Sequence, residues 1–182
     1  MRIIGGTFKG RRFHPPADNW PTRPTTDFAK EGLFNILQNR ISFDETRMLD
    51  LFGGTGSHCY EFISRGCEDA TYVDKFAGCL AFVKKTAAVL KIESYLTVVR
   101  SDVFKFIKRH HYSPYNYIFA GPPYGMPRLD DLPDLIFEHQ LLDQAGLFVL
   151  EHNPNHEFAG HSYCTSIRSY GKTIFSFFEH KS

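Results

Sequence analysis

Two rhythms of apolar residues alternate along most of the chain. Met48-Leu49-Asp50-Leu51-Phe52 is a short run that predicts a buried strand, and it stops at the glycine turn Gly53-Gly54-Thr55-Gly56. A helix is predicted from Ser57 to Ser64, ended by Arg65-Gly66. The same alternation repeats three times. Strand Ala70–Val73 ends at Asp74 and is followed by a helix to Lys91. Strand Tyr95–Arg100 leads into Ser101-Asp102 and a helix carrying Phe104, Phe106 and Ile107. Strand Tyr115–Ala120 breaks at Gly121-Pro122-Pro123-Tyr124-Gly125 and is followed by a helix over Leu132–Leu142. A fifth strand is predicted over Gly146–Glu151, and Ser162–Arg168 and Thr173–Glu179 form two strands turning at Tyr170-Gly171. Strands separated by helices imply an α/β fold, with a mostly parallel sheet covered on both faces and an antiparallel hairpin at its end.

The first forty residues are different. Arg2-Ile3-Ile4, a Gly5-Gly6 turn and Thr7 to Phe13 read as a β-hairpin arm. A loop with Pro15, Pro16, Pro21 and Pro24 follows. Thr25-Thr26-Asp27 then caps a helix reaching Leu37, whose apolar face is Phe28, Leu33, Phe34, Ile36 and Leu37.

Composition narrows the class. The 182 residues, 42% apolar and 23% charged, suffice for one domain with its own core and exclude a disordered chain. No apolar run approaches the roughly 20 residues of a membrane span, and MRIIGGTFKGRRF lacks a signal-peptide core, so a cytoplasmic protein without a membrane partner is expected. Cys59, Cys67, Cys79 and Cys164 fall at no metal-ligand spacing and read as reduced thiols. His110-His111 and the pair His152 and His156 read as loop histidines, and no metal is expected. The net charge of +1 argues against a nucleic-acid partner only until the chain is divided. Residues 1–40 hold seven Lys/Arg against three Asp/Glu, a balance of +4, whereas residues 41–182 carry −3. Arg2, Lys9, Arg11 and Arg12 crowd the first fourteen residues with no acid among them. Such a segment is either a solvated arm or a phosphate-binding one.

Ligands of such sheets sit beyond the carboxyl ends of the strands. Asp50 lies inside the first of these strands, ahead of the glycine turn; Asp74 ends the second; Asp102 follows the third. Singly, a glycine turn and two helix-capping acids are ordinary. Together they outline an adenosine-shaped site, Asp74 accepting from ribose hydroxyls and Asp102 from an adenine amino group. A dinucleotide site requires G-x-G-x-x-G, but the residue three beyond Gly56 is Cys59. An acid at Asp50 is also unfavourable beside a pyrophosphate and favourable beside a cationic amino acid. The pattern favours S-adenosylmethionine over NAD.

After the fourth strand, Gly121-Pro122-Pro123-Tyr124 is similar to the Asp/Asn-Pro-Pro-Tyr/Phe motif of methyltransferases acting on exocyclic base amines. In that motif the prolines fix a rigid turn whose carbonyl faces the amine, and the aromatic ring stacks on the base. An exocyclic amine is a poor nucleophile, so two acceptors that hold its hydrogens and aim its lone pair perform catalysis by positioning.

Several stretches together resemble the RsmD-type family of 16S ribosomal RNA guanine-N2 methyltransferases. These are Met1-Arg2-Ile3-Ile4-Gly5-Gly6, Lys9-Gly10-Arg11-Arg12, Arg23-Pro24-Thr25-Thr26-Asp27, Lys30-Glu31, Leu33 to Leu37, Leu49 to Gly56, Ser64-Arg65-Gly66, the Pro-Pro-Tyr turn and Tyr170-Gly171. The resemblance spans nearly the whole chain. It implies a class I methyltransferase (Rossmann-like) fold with a seven-stranded mostly parallel sheet in residues 25–182, and a basic hairpin arm in residues 1–24. It further implies S-adenosylmethionine held by Asp50, Phe52, Gly53, Gly54, Gly56, Asp74 and Asp102, and catalysis by Gly121, Pro122, Pro123 and Tyr124. Arg2, Lys9, Arg11 and Arg12 would hold RNA phosphates, with Arg23 and Thr25 near the mouth of the site and Phe13 a further residue able to touch RNA. The partner would be 16S rRNA within small-subunit particles, and the enzyme a monomer. One departure stands at the centre: Gly121 replaces the acid of the motif. Three readings follow, namely a slower enzyme, an acid supplied from elsewhere (Asp130 and Asp131 are the candidates by position), or a catalytically impaired protein that binds RNA or ribosomes.

Overall fold

The computed structural model describes residues 1–16, 20–21, 24–109 and 113–182. The expected Arg23 contact and the His110-His111 pair lie outside the described residues. The chain forms α1 (Asp27–Leu37), β1 (Arg47–Leu51), α2 (Ser57–Ser64), β2 (Asp69–Asp74), α3 (Ala77–Leu90), β3 (Leu96–Arg100) and α4 (Val103–Arg109). It continues with β4 (Tyr115–Ala120), α5 (Leu132–Glu138), β5 (Leu142–His152), β6 (Cys164–Tyr170) and β7 (Thr173–Phe178), with short 3-10 turns before β1 and α5. The strands make one seven-stranded sheet in the order β3-β2-β1-β4-β5-β7-β6. Pairs from β3 through β5 are parallel, and β7 runs antiparallel to both β5 and β6. The chain leaves β1 toward β2 and β3, then returns to place β4 on the other side of β1. The strand order therefore reverses between β1 and β4, where a crevice opens at their carboxyl ends.

Alternation along the strands sorts residues onto two faces. Met48, Tyr72, Tyr117, Phe119, Val149, Phe175 and Phe177 pack on one face with Leu33 and Phe34 of α1, Tyr60 and Phe62 of α2, and Val83 of α3. Leu49, Leu51, Val73, Ile118, Ala120, Phe148, Leu150 and Phe178 pack on the other with Val103 and Ile107 of α4, and Leu132 and Ile136 of α5. Asp50 belongs by alternation to the first face and is 1% exposed, a carboxylate held within the core.

Three local expectations change. The helix expected over Leu132–Leu142 ends at Glu138, because Gln140 enters the left-handed region (φ 54°) and turns the chain into a β5 that already begins at Leu142. Phe28 does not join the apolar face of α1. It is 69% exposed, its ring edge-on to Tyr170 at 5.6 Å. The N-terminal segment is not a regular hairpin: Arg2 and Arg12 form one antiparallel bridge, supported by Ile3 N–H to Arg11 O at 3.0 Å and Phe13 N–H to Met1 O at 3.0 Å.

The physical reason is that the amides of this segment are taken by α2. Ile4 and Gly5 donate to the carboxylate of Glu61, Gly5 at 2.8 Å; Phe8 donates to Ser64 Oγ, and Thr7 N–H to Ser64 O. Glu61 also pairs with Lys30 Nζ at 3.4 Å and Arg65 at 3.1 Å, and Lys30 donates onward to Arg2 O and Ser57 Oγ. Ile3 is buried, and Phe13, considered above for RNA, packs against Tyr60 at 6.0 Å between ring centres.

Candidate active site

The glycine turn after β1 is built by contacts that leave no room for side chains. Gly53 lies against the Tyr72 ring, where a Cβ would come within 2.3 Å. Gly56 has φ +80° and opens α2, and its added Cβ would meet the Tyr60 hydroxyl at 2.5 Å. Between β1 and this turn Phe52 occupies the left-handed region with φ 61°, a strained conformation for an aromatic residue and one that tends to mark functional loops. The turn is tied to β2 by Gly54 N–H donating to Asp74 Oδ2 at 3.0 Å and by Tyr72 Oη donating to Gly54 O at 2.6 Å.

A cavity of about 260 Å³ lies at the carboxyl ends of β1 to β5. Its walls bring together Asp50, Phe52, Gly53, Gly54, Asp74 and Asp102 with Gly121, Pro122, Pro123, Tyr124 and Thr25. Gly56 is not on the wall: its left-handed φ and its packing on Tyr60 shape the turn from behind. Arg2, Lys9, Arg11 and Arg12 are absent from the wall and belong to the N-terminal segment, where Arg2 pairs with Asp27 at 3.3 Å while Lys9, Arg11 and Arg12 are exposed.

Each acid has a local duty and an outlook on the cavity. Asp74 accepts from Gly54 N–H and, through Oδ1, from Phe76 N–H at 2.9 Å. Asp102 caps α4 by accepting from Lys105 N–H at 3.1 Å. A carboxylate oxygen has two lone pairs, so both retain acceptor capacity for a ligand. Asp50 accepts from the Cys59 thiol at 3.4 Å; burial pushes its carboxyl up to about 8, with Asp74 and Glu151 adding to the rise. Burial likewise pushes Cys59 well above the usual thiol range. A buried acid of this kind is settled by a cationic group, and the cavity pairs it with aromatic walls at Phe52, Phe76 and Phe119.

Among the wall residues outside the expected set, His58 and Glu151 bear on the chemistry. His58 stacks on Phe119 at 3.8 Å and meets Tyr117 Oη at 3.0 Å, and burial pushes its pKa well down, so it is a neutral ring. Glu151, 4% exposed, is the more consequential. It accepts from Tyr124 Oη at 2.9 Å and from Thr25 Oγ1 at 2.5 Å. Ala120 pairs with Leu150, so Gly121 and Glu151 fall side by side one step further along the two strands. A Cβ placed on Gly121 would stand 3.7 Å from Glu151 Oε2. The acids proposed for this place by position are elsewhere: Asp130 bonds His156 and Asp131 bonds Arg128, and neither is on the cavity wall.

His156 holds the Pro-Pro-Tyr turn from outside, with Nδ1 to Asp130 Oδ1 at 2.7 Å and Nε2 to Tyr124 O at 3.1 Å. His156→Ala is expected to lower stability by about 1 kcal/mol, the value of one or two partly exposed hydrogen bonds, measured as a shift of the denaturation midpoint. Its companion His152 bonds Ser176 Oγ at 2.7 Å instead. Among the described residues no group of three or more His, Cys, Asp or Glu could hold a metal ion. No helix among them is long and apolar enough to cross a membrane.

Comparison with known proteins gives the family and the fold. A family model described as "Conserved hypothetical protein 95" matches residues 1–179. A putative rRNA methyltransferase YlbH of Bacillus subtilis is 36% identical over 180 residues, 95% of each chain. The ribosomal RNA small subunit methyltransferase D of Escherichia coli is 33% identical over 150 residues, 82% of this chain and 73% of that protein. Among solved structures, the putative methyltransferase yhhF of Escherichia coli superposes with a TM-score of 0.83 at 26% identity, covering 100% of this chain and 99% of that one. The putative methylase HI0767 of Haemophilus influenzae shares the fold, with a TM-score of 0.80 at 23% identity and coverage of 100% and 98%.

Proposed function

This chain belongs to the conserved hypothetical protein 95 family, the RsmD-type proteins, and from that premise we propose that it methylates the exocyclic N2 of a guanine in the 16S rRNA of small ribosomal subunits, using S-adenosylmethionine. One observation carries this reading: a single cavity joins the acids suited to the donor with the Pro-Pro-Tyr turn suited to a base amine. The donor set fits the methyl donor chemically. Asp74 offers acceptors to ribose hydroxyls, Asp102 to the adenine amino group, and Asp50 a buried acid to the cationic methionine end, while Gly53 and Gly54 let the ligand approach the backbone. When bound, S-adenosylmethionine supplies an electrophilic methyl group on a sulfonium.

The chain's own residues do the rest. Pro122 and Pro123 hold φ near −65°, so the turn presents the Pro122 carbonyl without reorganisation. Tyr124 offers a ring on which a guanine can stack, and its hydroxyl is tied to Glu151. A base reaching this depth must leave its stack. The neutral His58 and the apolar rings around it form a dry wall. Labour divides between residues 25–182, which hold donor and base, and residues 1–24, whose exposed Lys9, Arg11 and Arg12 hold RNA phosphates.

The test is transfer of labelled methyl to small subunits from cells lacking the gene, with the product nucleoside identified after digestion. N2-methylguanine is expected; absence of any incorporation overturns the reading. The alternative, an impaired protein that only binds RNA or ribosomes, is favoured by Gly121 alone and opposed by the buried acid beside it. For the arm, replacing Arg11 and Arg12 together by Glu is expected to weaken particle binding. The slope of log affinity against log salt should fall by about 1.4–1.8, from roughly 0.7–0.9 for each phosphate no longer neutralised. Affinity for S-adenosylhomocysteine should not change. Unchanged particle binding would make the arm a solvated segment.

A further inference from the structure

Resting on the methyltransferase reading above, we propose that Glu151 is the catalytic carboxylate of this enzyme and takes over the function of the acid that Gly121 lacks. The sheet register brings the two residues side by side, one step beyond the Ala120–Leu150 pair, although thirty positions separate them in sequence. The distance of 3.7 Å from Oε2 to a Cβ built on Gly121 puts the carboxylate in van der Waals contact with the root of any side chain at that position.

The carboxylate is also held as a reacting group must be. Tyr124 Oη fixes one oxygen and Thr25 Oγ1 the other, so its plane is set before any substrate arrives. Tyr124 belongs to the motif and Thr25 to the segment leading into α1, so Glu151 joins both to the end of β5. At 4% exposure it is largely withdrawn from bulk solvent. Its role is to accept one hydrogen of the guanine amine while the Pro122 carbonyl accepts the other, which aims the nitrogen lone pair at the methyl carbon. As the N–C bond forms, the C–S bond of the donor breaks and its electron pair leaves with sulfur. The proton that the nitrogen then sheds passes to the Glu151 carboxylate.

The experiment compares four proteins: wild type, Glu151→Gln, Gly121→Asp and the double variant. Glu151→Gln keeps the size of the side chain and hydrogen-bonding groups for Tyr124 and Thr25, but removes the basic carboxylate. Single-turnover methyl transfer to small subunits should fall by about 10²–10³-fold, the usual cost of one positioned polar group. Particle affinity and S-adenosylhomocysteine affinity should stay within about twofold of wild type, and melting temperature within about 2 °C. The decisive arm is the double variant, because Gly121→Asp supplies a carboxylate from the neighbouring strand beside the position of the lost one. Its backbone is not in the left-handed region, and the new Cβ requires only a slight shift of the Phe119 ring. Recovery of at least tenfold over Glu151→Gln supports the proposal, since a merely structural Glu151 would not be rescued from another strand. Unimpaired transfer by Glu151→Gln in an active wild type overturns the proposal and leaves the methyltransferase reading standing. So does an inactive wild type that Gly121→Asp switches on, because Glu151 would then be no substitute. Inactivity of wild type and Gly121→Asp alike overturns the proposed function, and the role of Glu151 with it.

Discussion

Glu61→Ala is expected to cost about 3–5 kcal/mol of stability, the penalty for breaking a buried ion pair by removing one partner. For a chain of this size that is on the order of 10 °C in melting temperature. Glu61 is fully buried. Its loss leaves Lys30, 3% exposed, with the Arg2 carbonyl and Ser57 hydroxyl as its hydrogen-bond partners among the described residues, and strands the amides of Ile4 and Gly5. Burial already lowers the Lys30 pKa, and the attraction of Glu61 is the main force opposing that. The same substitution should release the N-terminal segment from α2, so hydrogen exchange at the Ile4 and Gly5 amides should accelerate beyond the global change. The double replacement of Lys30 and Glu61 by Leu separates the two effects. An apolar pair recovers part of the core stability, whereas the stranded amides stay unsatisfied and the segment stays loose. Denaturant unfolding and exchange of these two amides measure both. Full recovery of amide protection in the double variant would contradict this account of the docking.

This docking was invisible in the sequence for a reason that recurs in the site. Local patterns expose what neighbours along the chain decide, and the N-terminal amides are satisfied by a side chain 57 positions away. Thr26 as a cap of α1, the glycine turn after β1 and the acids Asp50, Asp74 and Asp102 at strand ends were all legible, because a cap, a turn and a strand end are each marked by residue types that follow one another along the sequence. The end of α5 was not, since Leu141 and Leu142 continue an apolar pattern that suits either a helix or the strand they enter. Phe28 misled in the opposite way: its spacing fits the buried face of α1, but the partner it meets is Tyr170, from a strand edge far along the chain. Glu151 stood in plain view as the last residue expected in the fifth strand. A strand-ending acid there is the same kind of signal as Asp74, but only the sheet register sets it beside Gly121.

Asp50→Asn is expected to weaken binding of the proposed donor by about 10–100-fold at pH 8, a loss of roughly 1.4–2.7 kcal/mol, while making the ligand-free protein more tolerant of alkaline pH. Both effects follow from one buried carboxyl. Burial, reinforced by Asp74 and Glu151, raises Asp50 from 3.8 to about 8. The folded state thus holds a proton that the unfolded chain has already lost between these values. Stability from this group is therefore fully present below about pH 4, declines as pH rises toward 8, and is level beyond it. Asparagine cannot ionise, so the variant should escape that decline, and its advantage over wild type should be greatest near pH 8 and above. A cationic donor reverses the balance, since a positive charge beside Asp50 favours the carboxylate. Binding to wild type below pH 8 should then release a proton, and affinity should rise with pH and level off near that value. Calorimetry in buffers of different ionisation enthalpy reads the proton directly. In Asp50→Asn the release and the pH dependence should both vanish. If the variant instead releases the same proton, Asp50 is not the group that meets the cation, and the acid facing it must be sought at Asp74 or Glu151, two carboxylates that share its cavity.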